Sequence, residues 1–293
     1  MEENRETGRV PSIDAAYRTL IRRIFDQGFT YRDASRDIYR LQIPSHQLHW
    51  RASDGKELPL LTLKKIPYRS VVAELLWFLK GRSDLAYLHA HGVHIWDKDV
   101  AAARMGDDAG RIYGRQWRDF DGRVDQIQRL VEGMRKYPHG TRHLVSAWHP
   151  GDLEEMALPP CHWAFECLVD GDDHFLLKWH QRSVDVFLGL PFNIASYGTL
   201  GYILEELTGL KFDGLIGDLS NVHIYQNHIM QCHEILRRDV AGKSSPRLHV
   251  RMQPGWADAR TLIDEITPDH LMLSGYEPLA KLPAEMLAPI RKE

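Results

Sequence analysis

Cysteine is scarce in this chain of 293 residues, which has only Cys161, Cys167 and Cys232. Such an odd and sparse set does not suit a disulfide framework of the kind that holds small secreted proteins together. We therefore expect three free thiols and a reducing, cytoplasmic setting.

A surplus of positive charge is also lacking, since 37 Lys and Arg residues stand against 40 Asp and Glu residues and the net charge is −3. Proteins that bind nucleic acid through its phosphates usually show a basic patch or a basic overall balance. We therefore expect that this protein requires no nucleic acid partner.

Long hydrophobic runs are nearly absent, and the only candidate for a membrane span is the uncharged stretch 186–204. It has roughly the length of a span, but it includes Pro191, Asn193 and three glycines, and Asp185 directly precedes it. The N-terminal residues are polar and lack the apolar segment of a signal peptide. We expect a strand, a turn and a helix buried in a soluble core, and no membrane association.

Apolar residues at helical spacing predict helices, and alternating or short apolar runs predict strands. The predicted helices are 13–28, 71–80, 83–91, 126–137, 194–210 and 227–238. Strands are predicted at 144–148, 163–169 and 175–179, with a strand or a loop entering one within 29–50, an exposed loop at 101–110 and short strands after 246. Because no repeat, linker or low-complexity tract divides the chain, we expect one domain over 1–293. Its predicted class is α/β (α+β), with helices packed on a mixed, mostly antiparallel sheet.

The segment Pro159-Pro160-Cys161-His162 has features that favour a reactive thiol. The two prolines fix φ and remove two backbone donors, so the cysteine is presented rigidly. A thiolate is the nucleophilic form, and nearby cationic groups such as Arg182 favour it. On residue type alone, however, Cys161 is more often a small buried hydrophobe.

Several motifs in the chain together resemble the thymidylate synthase family. The resemblance covers about 46–228 and depends on these motifs, in order: Glu74-Leu-Leu-Trp-Phe-Leu-Lys-Gly81, Ile95-Trp96-Asp97, Tyr113-Gly-Arg-Gln-Trp117, Trp148 with Pro160-Cys161-His162, Gln181-Arg182-Ser183, Gly189-Leu-Pro-Phe-Asn193 and His223-Ile-Tyr225.

The resemblance implies a thymidylate-synthase-like fold and a folate-dependent transfer of one carbon to C5 of dUMP, with 5,10-methylenetetrahydrofolate as co-substrate and no metal. C5 of uracil is a weak nucleophile, so Cys161 is expected to add first to C6 and push electrons onto C5 and O4. The implied catalytic residues are Cys161, Glu74, Tyr113, Asn193 and His162. Taken alone, Glu74 is better interpreted as a solvated charge and Tyr113 as a core aromatic.

By the same resemblance, two further sets of residues bind the substrates. The dUMP set is Gln181, Arg182, Ser183, Asn193, His223, Tyr225, either Arg32 or Arg36, and Arg142, which is expected to reach the site of the other subunit in a homodimer. The folate set is Ile95, Trp96, Leu158, Asp185, Leu188, Gly189 and Phe192. Asn193 has an amide that both donates and accepts, which suits the O4 and N3–H edge of uracil. Considered alone, Arg142 and Arg182 would be surface ion-pair residues.

The chain also departs from the family at several positions. The stretch 31–37 lacks the usual glycines, Thr141 replaces a second arginine, Asn221 replaces an aspartate, and the C-terminal segment 287–293 is charged where an apolar tail is usual. In the family that tail excludes water, and water decides the product. Thymidylate synthase would give dTMP and dihydrofolate. A dUMP hydroxymethylase, the alternative, would give 5-hydroxymethyl-dUMP and tetrahydrofolate.

Two other functions are weighed less favourably. A nucleotide- or RNA-binding protein without catalysis would have no use for a thiolate at Cys161. The cluster His89, His91 and His94 could suggest a metal site, but a solvated or structural interpretation is favoured, since no cysteine is near and Asp97 belongs to the Ile-Trp-Asp motif. We therefore expect no metal.

Overall fold

The structure is a computed structural model that describes residues 10–34, 36–52, 56–171, 173–256 and 258–286. The helices are α1 (Ile13–Gln27), α2 (Tyr68–Leu79), α3 (Leu85–Ala90), α4 (Asp97–Ala103), α5 (Tyr113–Arg118), α6 (Gln126–Lys136), α7 (Gly189–Thr208), α8 (Ile229–Arg237) and α9 (Ala259–Glu265). The strands are β1 (Phe29–Asp33), β2 (Ile38–Arg51), β3 (Leu144–Ser146), β4 (His162–Asp170), β5 (His174–Gln181), β6 (Val184–Asp185), β7 (Lys211–Tyr225), β8 (Arg247–Val250) and β9 (Leu271–Ser274).

A mixed sheet forms the centre of the molecule, with strand order β1-β2-β7-β5-β4-β3 and with β6 paired to β7. Neighbouring strands are antiparallel except for β5 and β6, which run parallel to β7. A separate antiparallel pair is formed by β8 and β9. Together with the packed helices, this arrangement confirms the predicted class of a mixed, mostly antiparallel sheet.

The helix α2 explains how a charged group reaches the interior. Its residues are apolar on nearly every side, so most of them are buried, and Glu74 is the acidic residue among them. The helix ends at Leu79, followed by Gly81 at φ +67°, a conformation that glycine adopts without strain. The predicted helix 71–80 is thus confirmed, although it begins at Tyr68.

The helix α7 is also buried almost all round and packs against the sheet. It begins at Gly189, earlier than the predicted start at 194, because Pro191 lies in the first turn, where a helix tolerates proline. Gly198 allows close packing, since a Cβ there would lie 2.5 Å from Cγ of Pro59. This close packing holds the middle of α7 against the segment that contains Pro59.

Most other predicted elements are confirmed with shifted ends, one predicted loop is partly wrong, and one long strand was not predicted. The helices predicted at 13–28, 83–91, 126–137 and 227–238 correspond to α1, α3, α6 and α8, and the strands at 144–148, 163–169 and 175–179 correspond to β3, β4 and β5. The predicted loop 101–110 is wrong in its first residues, which belong to α4. The long strand β7 was not predicted. Among the described residues, no helix has the length and apolarity needed to cross a membrane.

Candidate active site

One end of the sheet is the place where most of the predicted site residues meet. The parallel strands β5 and β7 both end there, β4 begins there, and β6 and the start of α7 lie beside them. A cavity of about 390 Å³ opens at this end. The predicted residues that line it are Arg36, Glu74, Ile95, Trp96, Tyr113, Leu158, Cys161, His162, Gln181, Ser183, Asp185, Leu188, Gly189, Phe192, Asn193, His223 and Tyr225.

Cys161 lies directly before β4 and is fixed by backbone contacts on both sides. Its N–H donates to Oη of Tyr113 at 2.7 Å, and its carbonyl oxygen accepts from the N–H of Arg182 at 2.8 Å. Burial raises the pKa of the Cys161 thiol, while the charges of Arg182 and Arg36 act to lower it. The expected cationic help is therefore present, but burial outweighs it in the free protein. Cys167 and Cys232 are buried free thiols, as expected of packing residues.

Arg182 holds the proline pair that precedes the thiol. Its Nε donates to the carbonyl oxygen of Pro160 and its Nη2 to that of Pro159, both at 2.9 Å. The guanidinium carbon lies 5.4 Å from the ring centre of Trp148. Arg182 is not among the described residues that line the cavity, and its observed side-chain contacts are with the two prolines and Trp148.

Tyr113 and His162 form a buried aromatic stack beneath Cys161. Their ring centres are 4.1 Å apart, and His162 Nδ1 lies 2.8 Å from Oη of Tyr197. Burial lowers the pKa of His162 to about 3, so it is neutral and does not act as a cation for the thiolate. Burial also raises the pKa of Tyr113 well above its ordinary value, so it is present as a phenol.

Glu74 faces the cavity from the middle of α2. Its Oε1 accepts a hydrogen bond of 2.7 Å from Nε1 of Trp96. Burial raises the pKa of Glu74 to about 7, although the Trp96 hydrogen bond acts to lower it. A carboxyl group with such a pKa can both take up and release a proton near neutral pH.

A pair of amides forms another wall of the cavity. Gln181 Nε2 donates to Oδ1 of Asn193 at 3.0 Å, and Gln181 Oε1 accepts from Nε1 of Trp179 at 3.1 Å. Because indole N–H only donates, this chain of bonds fixes the orientation of both amides. Asn193 is left with its NH₂ group and one lone pair of Oδ1 for a ligand.

His223 and Asn221 lie at the end of β7. His223 Nδ1 lies 2.7 Å from the carbonyl oxygen of Asn221, which only accepts, so the ring proton is on Nδ1. His223 Nε2 is then an acceptor, and it is buried with no partner among the described residues. Burial lowers the pKa of His223 to about 4, so the ring is neutral. Asn221 has φ of +49°, which asparagine tolerates well, and its amide donates to the carbonyl oxygen of Arg182.

Arg32 and Arg36, the two candidate phosphate ligands, lie in different surroundings. Arg36 lines the cavity and lies 5.8 Å from the ring centre of Tyr225, whereas Arg32 is exposed and forms an ion pair with Asp37. Arg142 is exposed just before β3, outside the cavity of its own chain.

Asp185 and four apolar side chains form the remaining wall. Asp185 Oδ1 accepts from the N–H groups of Phe187 and Leu188 at 3.0 and 3.2 Å. The apolar side chains, all partly exposed to the cavity, are Ile95, Leu158, Leu188 and Phe192. Such a wall, with one carboxylate held by backbone donors, suits a flat heterocycle that carries N–H groups.

The cavity has further lining residues that the sequence did not reveal: Phe78, Asp99, His228, Ala284 and Met286. The last two belong to the C-terminal segment. His228 Nε2 and Lys98 Nζ donate to the carbonyl oxygens of Glu285 and Met286, at 2.9 and 3.1 Å. The segment therefore reaches the cavity as far as Met286, and the charged residues 287–293 lie outside the described residues. His228 follows the His223-Ile-Tyr225 motif at a distance of three residues, and this proximity is the signal that could have indicated it.

Comparison with known proteins agrees with this geometry. A family model described as thymidylate synthase matches residues 15–288. The chain belongs to the thymidylate synthase family. A probable thymidylate synthase of Escherichia phage T5 is 45% identical over 241 residues, which cover 78% of this chain and 84% of that protein. Membership in the thymidylate synthase family makes the protein a one-carbon transferase.

Proposed function

We propose that the protein converts dUMP to dTMP, using 5,10-methylenetetrahydrofolate and releasing dihydrofolate. The single observation that supports this most is the arrangement around one cavity of a fixed thiol, Cys161, an oriented amide, Asn193, and a carboxyl group of pKa about 7, Glu74. The family supplies the reaction class, and these three groups supply its nucleophile, its pyrimidine contact and its proton relay.

The dUMP site follows from the charges and donors of the cavity. Arg36 and Ser183 face it from within the chain, and the guanidinium of Arg182 lies next to the same loop. We assign the phosphate to these groups and to Arg142 of a second subunit. His223 Nε2 accepts from the sugar hydroxyl, and Tyr225 lies beside it, with ring centres 4.7 Å apart.

Asn193 recognises the base. Its NH₂ group donates to O4 of uracil, and its Oδ1 accepts from N3–H, while Gln181 keeps it from rotating. Cytosine has an amino group at C4 and no proton on N3. In the same orientation, the NH₂ group of Asn193 would face the cytosine amino group, donor against donor, and its Oδ1 would face N3, acceptor against acceptor. The site therefore favours dUMP over dCMP.

The reaction begins when the Cys161 thiolate adds to C6, and the electron pair of the C5–C6 bond moves to C5 and O4. C5 then forms a bond to the methylene carbon of the folate, loses its proton, and the folate amine leaves to give an exocyclic methylene. Hydride from the tetrahydrofolate adds to that methylene, and the thiolate is expelled from C6. Glu74 relays protons near O4 and the folate, and Tyr113, being a phenol, assists removal of the C5 proton through a hydrogen bond.

The folate is expected to lie against Ile95, Trp96, Leu158, Leu188, Gly189 and Phe192, with Asp185 on its pterin ring. The C-terminal segment supports the synthase over the hydroxymethylase, since Ala284 and Met286 reach the cavity and reduce the access of water to the methylene intermediate. The hydroxymethylase remains the second candidate, because the charged segment 287–293 replaces an apolar tail.

We also propose that residues 1–293 act as one catalytic domain in a homodimer. On one sheet face, Leu144 pairs with Glu166 across β3 and β4, and Leu168 follows on the same side. Leu144 and Leu168 are exposed large hydrophobic residues, as is Trp163. A second copy on this face would cover them and bring Arg142, two residues before Leu144, to the boundary.

A direct assay tests the function and separates the two products. The protein is incubated with dUMP and methylenetetrahydrofolate, dihydrofolate is followed by its absorbance, and the nucleotide is identified by mass spectrometry. Equal amounts of dTMP and dihydrofolate are expected. 5-Hydroxymethyl-dUMP without dihydrofolate would establish the hydroxymethylase, and dCMP in place of dUMP serves as the control for the base.

A further inference from the structure

Three side chains outside the cavity converge on the surface between α3 and α4. His89 belongs to α3, His94 to the turn that follows, and Asp97 is the first residue of α4. His89 Nε2 lies 2.8 Å from Oδ1 of Asp97, and His94 Nδ1 lies 2.9 Å from Oδ2 of the same carboxylate. One ligand atom from each residue lies within 4.8 Å of the others.

This group differs from the histidine cluster seen in the sequence. His91 Nδ1 donates to the carbonyl oxygen of Tyr87 at 2.8 Å, and its ring packs on that of Tyr87, so it turns away. Asp97 takes its place. The neighbouring Trp96 turns to Glu74 in the interior, so the Ile-Trp-Asp motif leaves the Asp97 carboxylate available to the two histidines.

The two imidazole rings stack on each other. Their centres are 4.7 Å apart and their planes differ by 28°, so the two nitrogen atoms approach one carboxylate together. Each nitrogen atom now takes part in a hydrogen bond. If each ring moved its proton to the other nitrogen, two nitrogen lone pairs would face the carboxylate of Asp97, whose Oδ1 lies beside His89 and whose Oδ2 lies beside His94.

The distances suit a small tetrahedral cation. Bonds of about 2.0–2.1 Å from zinc to nitrogen or oxygen place neighbouring tetrahedral ligands about 3.4 Å apart. The present contacts of 2.8 and 2.9 Å join the two nitrogen atoms to different oxygens of Asp97. To bind the ion, these contacts open by several tenths of an ångström and the carboxylate turns one oxygen toward both rings. The side chains of His94 and Asp97 are 64% and 40% exposed, which leaves room for water as a fourth ligand.

The donor atoms of the three side chains limit which metal ions the site suits. Two imidazoles with one carboxylate suit zinc and its neighbours among the transition metals, whereas magnesium and calcium prefer oxygen ligands alone. The nearby Lys98 does not compete for the carboxylate, since its ammonium group contacts Glu285 and the carbonyl of Met286.

We propose that His89, His94 and Asp97 form a surface site for a divalent transition-metal cation, with zinc as the expected ion. The site is separate from the reaction, because none of its three ligands lines the cavity. It is held together by contacts that α3 and α4 already make.

The test uses the untagged, metal-free chain and zinc chloride alone. Because the thiol of Cys161 is itself a possible zinc ligand, every protein in the series has the Cys161→Ser substitution. Calorimetric titration is expected to give one zinc ion per chain. His89→Gln and His94→Gln should each weaken binding at least about tenfold, since even groups that only support a metal ligand are worth about 10–100-fold. His91→Gln is the matched control and should bind zinc unchanged.

A second measurement needs no substitution at the site. In histidine-selective NMR, the ring signals of His89 and His94 should shift on addition of zinc while those of His91 stay in place. Absence of zinc binding, equal binding by the His94→Gln variant, or an equal loss in His91→Gln would each overturn the proposal. Circular dichroism of every variant verifies that the fold is kept.

Discussion

Cys161, the nucleophile that we propose, is held by contacts that leave its thiol free. The backbone N–H and carbonyl of Cys161 are both engaged, by Tyr113 and Arg182, so the side chain is aimed by the main chain. Cys161→Ser should lower turnover by about 10⁴-fold or more, because a hydroxyl is a far weaker nucleophile at neutral pH. Binding of dUMP, measured by equilibrium dialysis, should stay near the wild-type value.

The buried thiol of Cys167 offers a matched control for that experiment. It is on β4, in the core, and Cys167→Ala should keep turnover while losing some stability. If Cys161→Ser instead turned over as fast as the wild type, the covalent step would have to be abandoned.

Glu74 predicts a dependence of stability on pH. Its pKa is about 7 in the folded protein, above the ordinary value of 4.5, so its contribution is fully favourable below about pH 4.5 and is lost as pH rises through 7. Glu74→Gln has no such loss. We expect the variant to gain about 2 to 3 kcal/mol in free energy of unfolding relative to wild type between pH 5 and pH 8.

Urea unfolding at both pH values measures that difference, and turnover of the variant should fall sharply although its stability rises. Glu234 on α8, which pairs with Arg238 and does not line the cavity, provides a control for turnover, since Glu234→Gln should keep the wild-type rate. A Glu74→Gln variant with no such change in relative stability would mean that Glu74 is solvated.

Most residues of the candidate site were predictable because they lie in short motifs whose order is specific. Others were not. Asp99 follows the Ile-Trp-Asp motif without belonging to it, and only the direction of α4 brings it to the cavity. The choice between Arg32 and Arg36 depends on the pairing of Arg32 with Asp37, which the sequence does not show.

At the scale of elements, the helices were easier to predict than the central strand. In β7, the glycines and Asp218 interrupt the apolar alternation that indicates a strand. Tertiary contacts explain the glycines: a Cβ at Gly217 would lie 2.5 Å from the ring of Trp179 on the neighbouring β5. The glycines that obscured the strand are therefore the residues that allow it to pack, whereas Asp218 is on its half-exposed side.

Close packing of α7 leads to a prediction about stability. Gly198→Ala places a methyl group against Pro59, whose ring cannot turn away, so the variant should lose about 1–3 kcal/mol. Thermal and urea unfolding measure the loss. The double variant Gly198→Ala/Pro59→Ala should be less destabilised than the sum of the two single variants, and strict additivity would show that the contact is unimportant.

At the scale of the whole molecule, the class of the sheet was predictable but the order of its strands was not. Local sequence patterns indicate where strands lie but not which strands pair. The pairing of β2 with β7 depends on how the long stretch of chain between these two strands folds. The exposed side chains of Leu144, Leu168 and Trp163 belong to the same scale, since the homodimer that we propose would cover them with a second copy of the chain.

The proposed homodimer with shared sites predicts complementation between two inactive proteins. Cys161→Ser keeps Arg142, and Arg142→Ala keeps Cys161. After the two are mixed, partly unfolded and refolded together, about half of the dimers should be mixed and each should have one intact site, which gives about a quarter of wild-type activity. Replacing the second protein by the double variant Cys161→Ser/Arg142→Ala should restore nothing. Absence of recovery in the first mixture would argue against a shared site.

The pairing of β2 with β7 also bears on how the protein is made. Arg40 lies opposite Tyr225, and β7 separately joins β5, so the end of the sheet that forms the cavity needs strands from distant parts of the chain. Pairings over such sequence separations form slowly. On the ribosome, the helices α1 to α6 emerge before β7 does. The nascent enzyme can therefore begin to fold early, yet it has no nucleotide pocket until its C-terminal third has been synthesised.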